Sequence, residues 1–335
     1  MSFRPTRIAA AAVLALGAAL ALSACSPSTS GDDQNKSDAP VSAEAYYPVT
    51  VTDMSGNSVK IESADSVAIT DNRFFQVAAD WKLPITVAPL DLFSPNNPLK
   101  TSKTIENIGT HGEPNFEKVV AADPDLIING YRFSGETQTK GMKDAAPDAA
   151  FVDMTTPKGM SADEYVVKSI TLMGDIFNKK AEAKKLVDDF HKSLADAQAA
   201  YKPATTVMGL VTTGKDINYS NPTDGRGASI FFSLLKLTPA LDTSGSTSHT
   251  GDDISLEAIA GSNADFFLVL DRAASTGTAG DKSAMELITS SASLAKVPAV
   301  VNKAIYVMPD DYSVTEDVFA YIKVLEGLTK GFKAL

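Results

Sequence analysis

From Tyr47 the chain alternates apolar and polar residues, Pro48-Val49-Thr50-Val51-Thr52. It turns at Ser55-Gly56-Asn57 and resumes as Val59-Lys60-Ile61, which predicts a β-hairpin. The period then changes to strands alternating with helices. Ser66–Thr70 reads as a strand, Arg73–Asp80 as helix-like and Pro84–Ala88 as a strand. Phe116–Ala122 reads as a short helix stopped by Asp123-Pro124, followed by the buried strand Asp125–Ile128 and another at Ala150–Val152.

A long amphipathic stretch follows from Ser161 to Tyr201. Ser161 with Glu164 has capping-box spacing, and the pattern hesitates around Gly174–Asn178 before resuming. Leu186, Val187, Phe190, Leu194, Ala197 and Tyr201 then fall on one stripe, so Lys179–Tyr201 is predicted as one long helix, ended by Pro203. A second alternating block comes after it. It has strands at Val207–Val211, Phe266–Leu270 and Ala304–Val307, and helices at Ala228–Leu235, Leu256–Ala260 and Val318–Phe332. The two blocks echo each other: Phe116-Glu117-Lys118-Val119 precedes Asp125-Leu126-Ile127-Ile128 as Leu256-Glu257-Ala258-Ile259 precedes Asp265-Phe266-Phe267-Leu268. This order predicts an α/β fold of two Rossmann-like lobes bridged by a single long α-helix.

Before Tyr47 the pattern is different. Arg4 and Arg7 are followed by an apolar run from Ile8 to Leu22, shorter than the roughly 20 residues a spanning helix needs, which reads as a cleaved signal. It ends at Leu22-Ser23-Ala24-Cys25, and Cys25 is the sole cysteine of the chain, so neither a disulfide framework nor a thiolate metal cluster is available. The organisation expected is therefore a signal at 1–24, a flexible tether at 25–44, an N-terminal lobe at 45–160, a helical region with the strut at 161–202 and a C-terminal lobe at 203–335. A formal net charge of −11 argues against nucleic acid as a partner.

The small residues before Cys25 resemble the lipobox of bacterial lipoproteins, which implies cleavage before Cys25, lipid on its thiol and a place on the bacterial cell membrane facing outside the cytoplasm. The folded part resembles the class III periplasmic-binding-protein family of ABC importers for siderophores, haem and cobalamin. The resemblance is carried by Ile108-Gly109-Thr110-His111-Gly112-Glu113-Pro114-Asn115-Phe116-Glu117, by Asp123–Ile128, by Ser255–Ile259 and by Asn263–Arg272. Within that family the spacing is most similar to lipoproteins that bind ferric catecholate siderophores. The resemblance implies three cleft arginines holding an anionic iron complex, at Arg132, Arg226 and Arg272. Planar guanidinium groups suit delocalised oxygen anions and aromatic rings, and each arginine follows a strand or lies in a Gly-containing loop.

His249 and Tyr312 match positions that complete the iron shell in some relatives, and both are expected at the ligand, with direct ligation of Fe(III) a further expectation. The sequence departs from the family here, with Thr250 after His249 and with Asp310-Asp311-Tyr312-Ser313 where relatives have adjacent aromatics and glycines. His111 and His191 read as solvated. Glu117 and Glu257 stand at the starts of matching helices, and the family resemblance implies that they are permease-docking acids, one per lobe. The expected partners are a ferric siderophore, a cognate ABC permease with its ATPase, and the membrane through the lipid anchor. The chain is expected to be a monomer with no intrinsic cofactor. No Gly-x-Ser-x-Gly, phosphate-loop or His-Glu-x-x-His motif occurs, so no enzyme is expected. Haem, cobalamin or a hydroxamate siderophore on the same fold are the alternative cargoes, and a lipid-tethered hydrolase is the remote one.

Overall fold

The computed structural model describes residues 46–276 and 280–335. The signal, the tether and Cys25 lie outside the described residues. The strands are β1 (Val49–Thr52), β2 (Ser58–Ile61), β3 (Val67–Ile69), β4 (Ile85–Ala88), β5 (Glu106–Asn107), β6 (Leu126–Asn129), β7 (Ala150–Asp153), β8 (Thr206–Thr212), β9 (Ile217–Ser220), β10 (Thr238–Pro239), β11 (Phe266–Asp271) and β12 (Ile305–Val307). The helices are α1 (Phe75–Asp80), α2 (Phe116–Ala122), α3 (Glu136–Ala145), α4 (Ala162–Ile176), α5 (Lys180–Ala200), α6 (Ser229–Leu235), α7 (Leu256–Gly261), α8 (Ala273–Thr276), α9 (Ala284–Ser290), α10 (Pro298–Val301), α11 (Tyr312–Thr315) and α12 (Val318–Lys333).

The predicted hairpin is β1 antiparallel to β2. The first lobe is a parallel sheet in the order β5-β4-β3-β6-β7, and the second places β8, β11 and β12 in parallel. The outer edge of β8 is shared, its start pairing in parallel with β10 and its end antiparallel with β9. The central strands read as unbroken apolar runs because both faces are covered. Val67, Ile69, Leu126, Ile128, Val207, Val211, Phe266, Leu268 and Leu270 face one core shared by both sheets. The alternate residues Ala68 and Ile127 face a second core outside the first sheet, and Met208, Leu210, Phe267 and Val269 a third outside the second sheet.

The two lobes repeat each other in detail. Ser66 N–H donates to the Asp125 carboxylate at 3.0 Å and Thr206 N–H to the Asp265 carboxylate at 2.8 Å, with the partners 59 residues apart in both cases. Each bond ties the start of one parallel strand to the start of its neighbour. Arg132 and Arg272 occupy equivalent places, just past the ends of β6 and β11.

The long helical stretch is two helices. It breaks at Phe177–Lys179, where Asn178 takes a left-handed φ of 53°, as the hesitation in the pattern implied. The predicted stripe of α5 is largely buried through Leu186, Phe190, Leu194 and Ala197, and packs along α12 and against α4 and α6. These helices belong to the core that both sheets share, so the lobes are joined by packed apolar surface as well as by the connecting chain. Ser161 departs from expectation. It is the N-cap residue of α4, yet its side chain makes no capping hydrogen bond, so the spacing marked the boundary without forming the box.

Candidate functional site

Both sheets turn their strand ends toward one crevice. In the first, β3 continues to β4 on one side while β6 and β7 lie on the other, so the ends of β3 and β6 flank a topological switch point, where α/β sheets bind ligands. The residues that follow those ends are Asp71, Asn72 and Arg73 after β3, and Tyr131 and Arg132 after β6. In the second sheet Arg272 follows β11, and Arg226 lies in the loop between β9 and α6.

Two glycines make these loops possible. A Cβ on Gly130 would lie 2.5 Å from the Asp71 carboxylate and 3.0 Å from the Met154 backbone. One on Gly225 would lie 2.3 Å from the Asn221 nitrogen, so the turn that presents Arg226 tolerates no side chain. Tyr131 completes the first loop in a left-handed conformation, φ 45°.

The arginines converge on Glu316. Arg226 Nη2 donates to Glu316 Oε2 at 2.8 Å and to the Ser313 carbonyl at 3.1 Å. Arg132 Nη2 lies 3.8 Å from the same carboxylate oxygen and donates to the same carbonyl at 3.0 Å. The Tyr131 hydroxyl donates to Glu316 at 2.7 Å and accepts from Arg226 Nη1 at 3.3 Å. His249 Nδ1 sits 3.4 Å from Arg226 Nη1.

The electrostatics place Arg272 in the same group. Burial and the positive charges of Arg226 and Arg132 lower its pKa. His249 is held below the usual histidine range by burial and by Arg226, Arg272 and Arg132, which favours the neutral ring. Burial also opposes the charge of Arg226 more than any single neighbour favours it, but Glu316 together with Tyr131, Tyr312 and Tyr321 raises its pKa on balance. Burial and Glu316 together push the Tyr131 phenol up.

Under Tyr131 lies a second, buried pair. Arg73 Nε and Nη2 donate to the Asp71 carboxylate at 2.9 and 2.6 Å, and the guanidinium lies 4.8 Å from the Tyr131 ring and 4.3 Å from the Tyr165 ring. This fork-to-fork pair fixes the floor of the site.

The segment from Asp311 to Asp317 ties the lobes together. Asn72 Nδ2 donates to the carbonyls of Val314 and Thr315 at 3.1 and 2.9 Å, and Ser94 Oγ to Asp311 at 2.8 Å. A cavity of about 250 Å³ is lined by Tyr131, Asp224, Arg226, Tyr312, Glu316 and Tyr321. A larger depression of about 910 Å³ lies between β1 and α4. It has no gathering of guanidinium groups, and the chemistry favours the smaller opening as part of the site.

Tyr312 corrects an expectation. It is 1% exposed, its hydroxyl donates to the Gly227 carbonyl at 3.4 Å, and burial pushes its pKa well up. Tyr312 borders the cavity, but a phenol bonded to a backbone carbonyl and so hard to ionise is poorly suited to ligate iron, whereas His249 is exposed at the arginine cluster. His111 is likewise more enclosed than expected: burial and nearby Arg132 lower its pKa. His191 is exposed, as expected. Sequence reasoning missed Glu316 and Tyr131, because nothing local in a sequence marks a non-glycine residue as left-handed, and it missed the Arg73–Asp71 pair, whose place beneath Tyr131 is set by tertiary packing.

Glu117 and Glu257 lie far from this cluster in the fold order, each in the first turn of an equivalent helix. Asn115 caps α2 by accepting from Lys118 N–H, and Ser255 caps α7 by accepting from Ala258 N–H. Both acids are exposed.

Comparison with known proteins agrees with this architecture. Residues 67–312 match the family described as Periplasmic binding protein. The petrobactin-binding protein YclQ of Bacillus subtilis is 28% identical over 183 residues, 54% of this chain and 55% of the relative, so the chain spans about half the length of that protein. The ferric-anguibactin-binding protein FatB of Vibrio anguillarum is 25% identical over 230 residues, 68% of this chain and 70% of the relative. The siderophore-binding protein BauB, solved with two molecules of acinetobactin and ferric iron, superposes with a TM-score of 0.70 at 20% identity, covering 86% of this chain and 99% of its own, which is a likeness of fold. The family match spans both sheets and Tyr131, Arg132, Arg226, His249 and Arg272 of the cluster, and the chain belongs to the periplasmic binding protein family.

Proposed function

We propose that this protein captures an anionic ferric siderophore of the catecholate class between its lobes and delivers it to an ABC permease for iron uptake. The observation that carries this is the convergence of Arg132, Arg226 and Arg272 from the strand ends and loops of two sheets. A ferric tris-catecholate carries about three negative charges on delocalised aromatic oxygens, the chemistry that grouped guanidinium groups recognise. The ligands named for YclQ, FatB and BauB support a siderophore as the cargo.

Delivery is assigned to Glu117 and Glu257, which present one exposed carboxylate per lobe in matching helix first turns. The lipid on Cys25 holds the protein at the outer face of the membrane, as a monomer. The core shared by both sheets limits closure to a small rocking motion, so loaded and empty forms differ by small shifts at the crevice. Among the described residues, His249 is placed to complete an iron shell. The chain itself does no covalent chemistry.

The test is a titration of the lipid-free protein, following tyrosine and tryptophan emission, with a ferric tris-catecholate, a tetradentate ferric catecholate, a ferric hydroxamate, haem and cobalamin. Submicromolar quenching by a catecholate, weakened at least tenfold by Arg226→Ala, is the expected result. Preference for haem, cobalamin or the hydroxamate overturns the assignment of cargo. For delivery, Glu117→Lys with Glu257→Lys is expected to leave binding intact and to abolish cargo-stimulated ATP hydrolysis by the reconstituted transporter; full stimulation overturns the docking role.

A further inference from the structure

Glu316 is an unusual residue to find among arginines that are to receive an anion. Its carboxylate stands between Arg226 of one lobe and Arg132 of the other, 2.8 and 3.8 Å away, and the Tyr131 hydroxyl donates to it at 2.7 Å. Its side chain is 11% exposed, so it is buried in the site and does not sit at its rim. Its backbone is left-handed, φ 44°, a conformation that favours glycine and that costs a residue with a Cβ. The cavity beside it, about 250 Å³, is smaller than the ~300–1,000 Å³ typical of a small-molecule pocket.

We propose that Glu316 is an internal counter-ion that holds the place of the cargo: its carboxylate occupies the anion position between Arg132 and Arg226, and an anionic oxygen group of the cargo enters by displacing it. This deepens the cargo reading above and rests on it. The donors around Glu316 are those a carboxylate or catecholate oxygen requires, two guanidinium groups and a phenol. A ligand oxygen that takes over these bonds must itself be negative, because a neutral carbonyl or hydroxamate group would exchange a charge-assisted set for a weaker one. Glu316 is thereby a counter-ion that only a negative ligand displaces; a neutral ligand, which could not replace its bonds, binds beside the intact ion pairs and meets no displacement. Because the carboxylate joins Tyr131 and Arg132 to Arg226, the displacement also releases a tie between the lobes when the cargo arrives.

The competing account is that Glu316 is structural, holding the arginines in place for the cargo. The two make opposite predictions. Glu316→Gln keeps the size and an acceptor for Tyr131 and Arg226 but removes the charge. Glu316→Gly removes the side chain and suits the left-handed backbone, which guards against a misfolded variant. Affinity of both variants and of the wild type is measured for a ferric tris-catecholate and for a neutral ferric trihydroxamate, with thermal unfolding as the check on folding. The expected result is catecholate binding at least about tenfold tighter in both variants, equivalent to ~1.4 kcal/mol, with hydroxamate binding changed by less than about threefold. Unchanged or weaker catecholate binding in folded Glu316→Gln and Glu316→Gly overturns the proposal and leaves the cargo reading standing. Equal tightening for both ligands overturns the charge-selective role. Binding of neither ligand to any of the three proteins overturns the cargo reading and this inference with it.

Discussion

Replacing Arg226 with methionine tests whether the arginine cluster is held as described. Arg226 and Glu316 pair at 2.8 Å with side chains 14% and 11% exposed. At that distance, with an effective dielectric constant near 20, their attraction is about 6 kcal/mol before desolvation. Removing one partner of such a pair costs about 3–5 kcal/mol, because the remaining charge stays buried. Glu316 retains the Tyr131 hydroxyl and the more distant Arg132, so the lower end applies and Arg226→Met is expected to lose about 3 kcal/mol. The stranded carboxylate is the cause, so Arg226→Met with Glu316→Gln should recover at least half of the loss. Urea denaturation followed by far-UV circular dichroism measures both. A loss below about 1 kcal/mol, or a double variant no more stable than Arg226→Met, would show that the pair is solvated and the electrostatic reasoning wrong.

Three further outcomes follow from the same geometry. Gly130→Ala places a Cβ 2.5 Å from the Asp71 carboxylate, so the buried Arg73–Asp71 pair must shift; a loss of about 1–3 kcal/mol on denaturation is expected, and wild-type stability would contradict the close approach. Asp317, which caps α12 by accepting from Ala320 N–H, is pushed up by burial to about 7. An acid with a raised folded pKa stabilises the fold at low pH and loses that contribution as pH climbs from its unfolded value near 4 through 7. Asp317→Asn should therefore gain stability relative to wild type across that window, by up to ~1.4 kcal/mol per pH unit, and stay level above it; a flat difference from pH 4 to 7 would refute the shift. Tyr312→Phe should leave the visible charge-transfer spectrum of a bound tetradentate ferric catecholate unchanged, since the phenol bonds to Gly227; loss of a band would identify Tyr312 as an iron ligand after all.

The fold was largely legible because apolar period and local stop signals coincide. α2 runs over the residues predicted, since Asn115 caps its start and Asp123, left-handed ahead of Pro124, ends it. α3 was missed because Glu136–Ala145 is mostly polar and fully buries only Met142, which leaves no stripe to read. β5, β9 and β10 are two to four residues long, too short to carry a readable period. At the site, Arg132 and Arg272 were identified through the family resemblance, with support from their places shortly after the apolar runs of β6 and β11. Glu316 was not visible, because its role depends on a left-handed turn that aims an acid at a lobe 185 residues earlier in the chain. The direction of Tyr312 depends on tertiary packing too: α11 turns its ring toward Phe231 and Tyr321, with centroids 6.0 and 6.3 Å away.

The central claim is that iron cargo binds where the three arginines meet. Anomalous diffraction at the iron edge, from crystals of the lipid-free protein grown with a ferric tris-catecholate, locates the metal directly. One iron peak is expected in the crevice between the lobes, with catecholate oxygens on the guanidinium groups of Arg132, Arg226 and Arg272 and the Glu316 carboxylate turned away. An iron peak elsewhere, or a catecholate complex seated with Glu316 still between Arg132 and Arg226, would contradict it.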